Sequence, residues 1–577
     1  MQHRQLRSLL SLGTAVTIVM SLTTAARGED DISPARLIPG DALAALVLRN
    51  GKGHLDSFQS SELLALLETT DFAHLVEKNP DLVQARVFTT GLAGSIGASP
   101  WQAVGTLFGS ETVIALRIEG GFPQWVAVSK LIEPEKVDVM LSLSRILLRL
   151  PRPREDGIVP FGDKAFLARF GDYLGLASSK RYLGECMARH ETTSEPSLAS
   201  ASFFAELLPR LETRRPLAAA FDLDRFRELR GGSLFHDRIE NGFAALLFSG
   251  HRDRLEACDA VQAWLGFSVS SIDVLVQARP DGKDPRDPSA AADRFPLPAL
   301  PRNLGAIAIR RDVASLWEKR DDLLPAQGLG QLLQFAGTLT TLTAGLDFGE
   351  ELLPALGSDL LFVSNLREVG DARPSPELPA FALLLPLRRP EEIGRRLEMA
   401  ALQTMSIVNF ESARNGRPPL MVDKTRYRDT SITHAEYPEP DDARGPLHVR
   451  HNFSPAACVA GDHFVISSSL PLAREIIDAF RNAGSTVSSA VERASTASLG
   501  LDSLIRVDAT SLRTILGLNR ELMADNKVLE TAVPREAALL EIDGLLGLLD
   551  LVTDLEAVIR ASNEELSLDL RLGLKKP

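Results

Sequence analysis

The chain carries one series of structural signals twice, in the same order, which restricts it to a fold that half of its length can complete. Residues 39–50 (PGDALAALVLRN) and 301–312 (PRNLGAIAIRRD) are each a Pro-led apolar strand with a basic end. Residues 99–109 (SPWQAVGTLFG) and 347–357 (DFGEELLPALG) each read as a short helix, opened by an N-cap residue, Ser99 or Asp347, and closed by a glycine, Gly109 or Gly357. A side-chain oxygen satisfies free N–H groups at the helix start, and glycine takes the left-handed turn at its end. Ser-acid follows in both copies, Ser110-Glu111 and Ser358-Asp359.

A strand pair comes next in each copy. Thr112, Ile114, Leu116 and Ile118 alternate with Val113, Ala115, Arg117 and Glu119, the period of a half-buried strand. The counterparts, 360–366 and 380–387, are almost wholly apolar, so burial on both faces is expected for them. Pro134-Glu135 and Pro390-Glu391 then start helices, running to 150 and to about 408. GDYLGLASS (171–179) matches GDHFVISSS (461–469): a Gly-Asp turn, an apolar strand, and Ser-Ser leading into a helix. AAFDLDRFREL (219–229) resembles LIRVDATSLRTIL (504–516), sharing Asp222 and Asp508, and each copy ends in a strand, 272–276 or 568–572.

The expected fold class is therefore α+β: two tandem related units of antiparallel strand pairs with intervening helices. The first α+β repeat spans 29–278 and the second 303–577. Between them, 279–302 (RPDGKDPRDPSAAADRFPLPALPR) reads as an exposed linker rich in Pro and Asp. This order of elements resembles large secreted bacterial proteins of uncharacterised function built from a duplicated unit. The resemblance implies export and architecture; it brings no catalytic residues.

The first 28 residues read as a signal peptide. Arg4 and Arg7 precede a largely apolar run from Leu9 to Leu22, and small residues follow, with cleavage expected after Gly28. Cleavage would remove three of the 63 basic residues and none of the 76 acidic ones, taking the net charge from −13 to −16. No later run is long and apolar enough for a transmembrane span. An exported protein, periplasmic or extracellular, is expected. Its acidic charge, with no basic tract, argues against a nucleic-acid partner.

No motif for catalysis stands out. Gly-x-Ser-x-Gly, a Walker loop, His-Glu-x-x-His and Cys-x-x-Cys are all missing from the sequence. Cys186, Cys258 and Cys458 lack activating neighbours in the sequence and read as buried apolar side chains, the first two in helical stretches and the third in a strand. His434, His448, His451 and His463 fall within thirty residues, near Asp441, Asp442 and Asp462. Imidazole and carboxylate together suit a divalent ion. Yet His448 and His451, three apart in an apparent strand, would face opposite ways, and the first copy has no such histidines. They read as surface histidines. Asp222 and Asp224 on one side, and Asp508 on the other, read as helix caps rather than as an acid–base pair. No catalytic, cofactor-binding or metal-binding residue is assigned, and no cofactor is expected. Phe (25) outnumbers Trp (4) and Tyr (4), which suits cores more than sugar-binding surfaces.

The expectation is a non-enzymatic binding or structural protein, with an unknown protein or cell-envelope partner. The alternatives are a hydrolase without a recognised motif and a carrier of apolar ligands, the latter suggested by Leu-rich helices such as 538–549.

Overall fold

The computed structural model describes residues 32–50, 90, 93–94, 96–147, 156–161, 165–192, 196–208, 211, 215–235, 241–268, 270–280, 295, 297–367, 374–416, 418–438, 447–482, 500–562 and 565–575. The expected signal segment and most of the expected linker lie outside them. The chain forms two compact units. One comprises residues up to Leu234 with Ala257–Pro285; the other comprises Phe235–Glu256 with Arg286–Lys575.

The first unit contains strands β1 (Ala44–Arg49), β2 (Glu111–Glu119), β3 (Phe122–Lys130), β4 (Val159–Phe161), β5 (Ala165–Phe170), β6 (Tyr173–Ala177), β7 (Leu217–Asp222), β8 (Ala260–Phe267) and β9 (Ser271–Arg279). They pair antiparallel in the order β4-β5-β6-β3-β2-β1-β7-β8-β9. One face packs small residues (Ala45, Val47, Val113, Ala115, Ala218, Ala220) against Tyr182, Leu183 and Cys186 of helix Lys180–Glu191 and against Phe203, Phe204 and Leu207. Small inner side chains let the helix lie close to the strands. Arg117 enters this layer with its guanidinium 3.9 Å above the Tyr182 ring, donating to Glu185 (2.6 Å) and Glu119 (2.9 Å). A buried arginine is tolerated because its donors are satisfied by carboxylates.

The second unit contains β10 (Asn303–Arg310), β11 (Asp359–Asn365), β12 (Pro374–Ser375), β13 (Ala380–Pro386), β14 (Met421–Tyr427), β15 (Thr430–Glu436), β16 (Leu447–His448), β17 (Ala456–Ala460), β18 (His463–Ser467), β19 (Gly500–Asp508), β20 (Val552–Ala561) and β21 (Leu566–Leu574). Its antiparallel sheet runs β14-β15-β17-β18-β13-β11-β10-β19-β20-β21. β12 and β16 form a separate short parallel bridge. The inner face (Ala306, Ala308, Leu361, Val363, Ala382, Leu384) packs under Leu472, Ala473, Ile476 and Ile477 of helix Leu470–Asn482. Phe295, at the end of the expected linker, is buried in this core. The α+β class and the antiparallel pairing thus hold in both units.

The expected caps form. Ser99 and Gln102 make a reciprocal capping box, and Asp222 and Asp508 accept from the N–H groups of Arg225 and Ser511. Helices begin at Pro134 and Pro390 as expected, the second continuing to Arg414.

Three local expectations need correction. Gly357 is not a left-handed helix terminator. The helix after Asp347 opens as a wide π-type turn and ends at Ala355, and Gly357 is needed because a Cβ there would lie 2.9 Å from Pro386 Cγ. Gly109 needs glycine on both counts: its φ is +56°, and a Cβ would collide with the Lys130 carbonyl. Cys258 lies beyond the end of helix Gly242–Glu256, before β8. Strands β11 and β13 are not buried on both faces, for Phe362 and Phe381 stand out from the sheet at 37% and 39% exposure.

Candidate functional site

That last correction defines the candidate site. Residues paired directly across a ladder point to the same face of a sheet. In the second unit, pairing links Ile466 to Leu383, Leu383 to Phe362, Phe362 to Ile307, Ile307 to Ile505, Ile505 to Ala557, and Ala557 to Leu570. One straight row therefore crosses seven strands with an apolar residue at every step. A second row beside it runs Phe381, Ser364, Gly305, Val507, Leu555, Leu572. Neither row contains a charged residue.

The rows are open in the middle. Ile466 is 44% exposed, Phe362, Ile307 and Ile505 are each 37% exposed, and Leu555 is 40% exposed. Phe362 and Phe381 stack with centroids 5.9 Å apart, which gives this face an aromatic step. At one corner the face is roofed: Ala457 and Phe464 pack under Leu346, Phe348, Leu352, Ile393 and Leu397. With strands about 4.8 Å apart, the run from Ile466 to Ile505 spans about 19 Å.

The distribution of bulk is informative. β10 places Ala306 and Ala308 against the core and Ile307 and Ile309 on the other face. The six open side chains expose roughly 450 Å² of apolar surface, given about 200 Å² for a large side chain. That is within the size of functional patches on monomers.

The first unit also carries an apolar row across seven strands. Leu176, Ala127, Ile114, Leu46, Ala219, Ala263 and Val276 are paired in succession across β6-β3-β2-β1-β7-β8-β9. Its members are smaller and each is half-buried.

The histidines do not assemble into a site. His434 and His463 are buried rather than on the surface. His463 begins β18 and stacks on Phe480, with centroids 4.8 Å apart; burial pushes its pKa down, only partly offset by Asp462. The apparent strand at 448–451 ends at His448, which caps a 3-10 turn, Val449–Asn452, by accepting from the Arg450 N–H. The His451 carbonyl accepts from Arg367, and the His451 ring meets Tyr437 edge-on. Asp441 and Asp442 lie outside the described residues. Among the described residues, no three or more His, Cys, Asp or Glu side chains come together as a metal site. The three thiols are buried, and burial pushes Cys186 and Cys458 up to about 12, far from a reactive thiolate.

A polar cluster escaped the sequence reading. Arg311 donates to Asp502 Oδ1 at 2.5 Å, and its Nη2 lies 2.6 Å from His251 Nε2. His251 Nε2 is in turn 3.2 Å from that same Asp502 oxygen. All three are largely buried. Burial pushes the Asp502 carboxyl up, but His251 and Arg311 outweigh it and hold the group below the usual carboxylate range. The cluster joins helix Gly242–Glu256 to β10 and β19 of its own unit. The same helix approaches helix Ala326–Leu342 so closely that a Cβ on Gly242 would lie 2.5 Å from the Gly328 carbonyl oxygen. The charges therefore fasten a helix, with carboxylate and guanidinium already engaged.

No family model matches the chain. No curated protein matches it either. Among solved structures, a chain described as TP0453 in crystal form I aligns over 45% of this chain and 83% of its own, at 8% identity and a TM-score of 0.24. A likeness that slight carries no argument.

Proposed function

We propose that the chain is an exported, non-enzymatic binding protein made of two copies of one α+β unit, and that it binds through the open face of the second sheet. The observation that carries this reading is the seven-residue apolar row, which recurs in the two units. The order β6-β3-β2-β1-β7-β8-β9 parallels β18-β13-β11-β10-β19-β20-β21, and the caps at Asp222 and Asp508 fall at equivalent points after β7 and β19. Duplication explains both correspondences. Among the described residues, β14 has no counterpart in the first unit.

Export is supported by the charged–apolar–small order of residues 1–28, and among the described residues no helix is long and apolar enough to cross a membrane. The non-enzymatic reading is supported by the use made of the polar groups. His448 caps a turn, His463 stacks in a core, Asp502 and Arg311 neutralise one another, and burial raises the Cys186 and Cys458 thiols. The partner is then an apolar molecule or a component of the cell envelope.

Cell fractionation with intact-mass measurement tests the export half: the mature chain should begin at Glu29, and a cytoplasmic chain retaining residue 1 would overturn it. The non-enzymatic half fails if a hydrolytic activity of the purified chain disappears in the folded His448→Ala/His451→Ala variant.

A further inference from the structure

The second sheet's open row has a shape and chemistry that narrow its occupant, taking the binding reading above as its basis. β13, β11, β10 and β19 are internal strands whose backbone groups are engaged in ladders on both sides. An extended peptide laid on this face would find no backbone partner and would lose its own hydration, which is unfavourable. A ligand that needs no hydrogen bonds suffers no such penalty. The row also has no charge to recognise a polar head, so whatever polar group the ligand carries must sit off the row.

Size decides between the apolar occupants. The open surface of roughly 450 Å² is about half of the about 800 Å² per partner that a stable protein interface buries. A second copy of the chain, or a partner helix, is therefore poorly matched. One hydrocarbon chain is well matched. The hydrocarbon core of a bilayer is about 30 Å thick and two chains deep, so one acyl chain extends about 15 Å. The open run from Ile466 to Ile505 spans about 19 Å and is one side chain wide, with Phe381 and Leu555 along its flank.

We propose that this row seats one acyl chain of a membrane lipid, extracted as a monomer, with the polar head outside the row. Phe362, Ile307 and Ile505 form the floor and Ile466 one end. The step is binding alone; no bond is made or broken.

The test uses the full mature chain and phosphatidylcholine vesicles carrying a self-quenched fluorescent acyl label. Extraction should appear as saturable dequenching at one lipid per chain. Phe362→Glu and Ile505→Glu should each weaken extraction at least tenfold, because each puts a charge under the acyl chain. Ile505→Thr, which keeps the β-branch, should weaken it less and guards against misfolding of the charged variants. Phe410→Glu, on an exposed part of helix Pro390–Arg414, should leave extraction unchanged. Four outcomes overturn the proposal: no dequenching, equal extraction by the row variants, binding of free fatty acid but not of phospholipid, or a dimer in ultracentrifugation that Phe362→Glu splits. An exported chain that extracts no lipid refutes the acyl assignment alone. A cytoplasmic chain with residue 1 intact refutes export alone.

Discussion

Removing Asp502 should loosen the second unit. Asp502 is 8% exposed, Arg311 11% and His251 12%, so the cluster is shielded from water. Asp502→Ala takes from the buried Arg311 guanidinium the carboxylate that it pairs with. Breaking a buried pair from one side costs about 3–5 kcal/mol. With a urea slope of about 3 kcal/mol per M for a unit of this size, the unfolding midpoint of the second unit should fall by about 1 to 1.7 M. Hydrogen exchange should locate the loss, with faster exchange along Gly242–Glu256 than along helix Lys180–Glu191, which belongs to the other unit. Adding Arg311→Met should recover much of the stability, since the guanidinium that lost its carboxylate is then gone as well. The pH sign follows from the depressed carboxyl. The contribution is present above the ordinary aspartate range and is lost as pH falls through the lowered folded value. A midpoint shift under about 0.3 M, or a double variant no more stable than Asp502→Ala, would refute the assignment of the cluster as a fastener.

Other consequences are simpler. His463 is held neutral by burial, so the unfolded chain takes up a proton that the folded chain refuses. Stability should therefore decline as pH drops below about 6.5, and His463→Phe, which keeps the stack on Phe480, should flatten that decline in urea titrations. Asp222→Ala and Asp508→Ala should each cost about 1 kcal/mol in thermal or urea melts, the value of a lost N-cap. Gly109→Ala should cost about 2 kcal/mol or more and exceed Gly357→Ala, because only Gly109 combines positive φ with a backbone collision. A disulfide reagent should label none of the three thiols quickly in the native chain and all three in urea.

Features that depend on a few neighbouring residues were legible in the sequence. The Ser99 box, the Asp222 and Asp508 caps and the Gly171 and Gly461 turns each need only three or four positions, and those positions say what they are. Strand alternation was legible too. The open face was not, because Phe362 reads the same whether a helix covers it or leaves it bare. Only the register, which aligns Ile307 with both Phe362 and Ile505, reveals a row. The Asp502 cluster joins residues 191 and 60 positions apart, and no local pattern announces such a pairing. The histidine group misled for the opposite reason: closeness along the chain suggested a site, while folding sent His463 into a core and His448 to a turn.

Native mass spectrometry of the protein recovered from outside the cytoplasm separates a lipid-loaded chain from an empty one. The expected species is a chain shortened from 577 residues by the 28 of the signal segment, carrying one added mass that organic extraction identifies as an acyl lipid. In the Phe362→Glu variant that added mass should be absent. A bare wild-type chain that also fails to take up phospholipid from vesicles would contradict the acyl assignment.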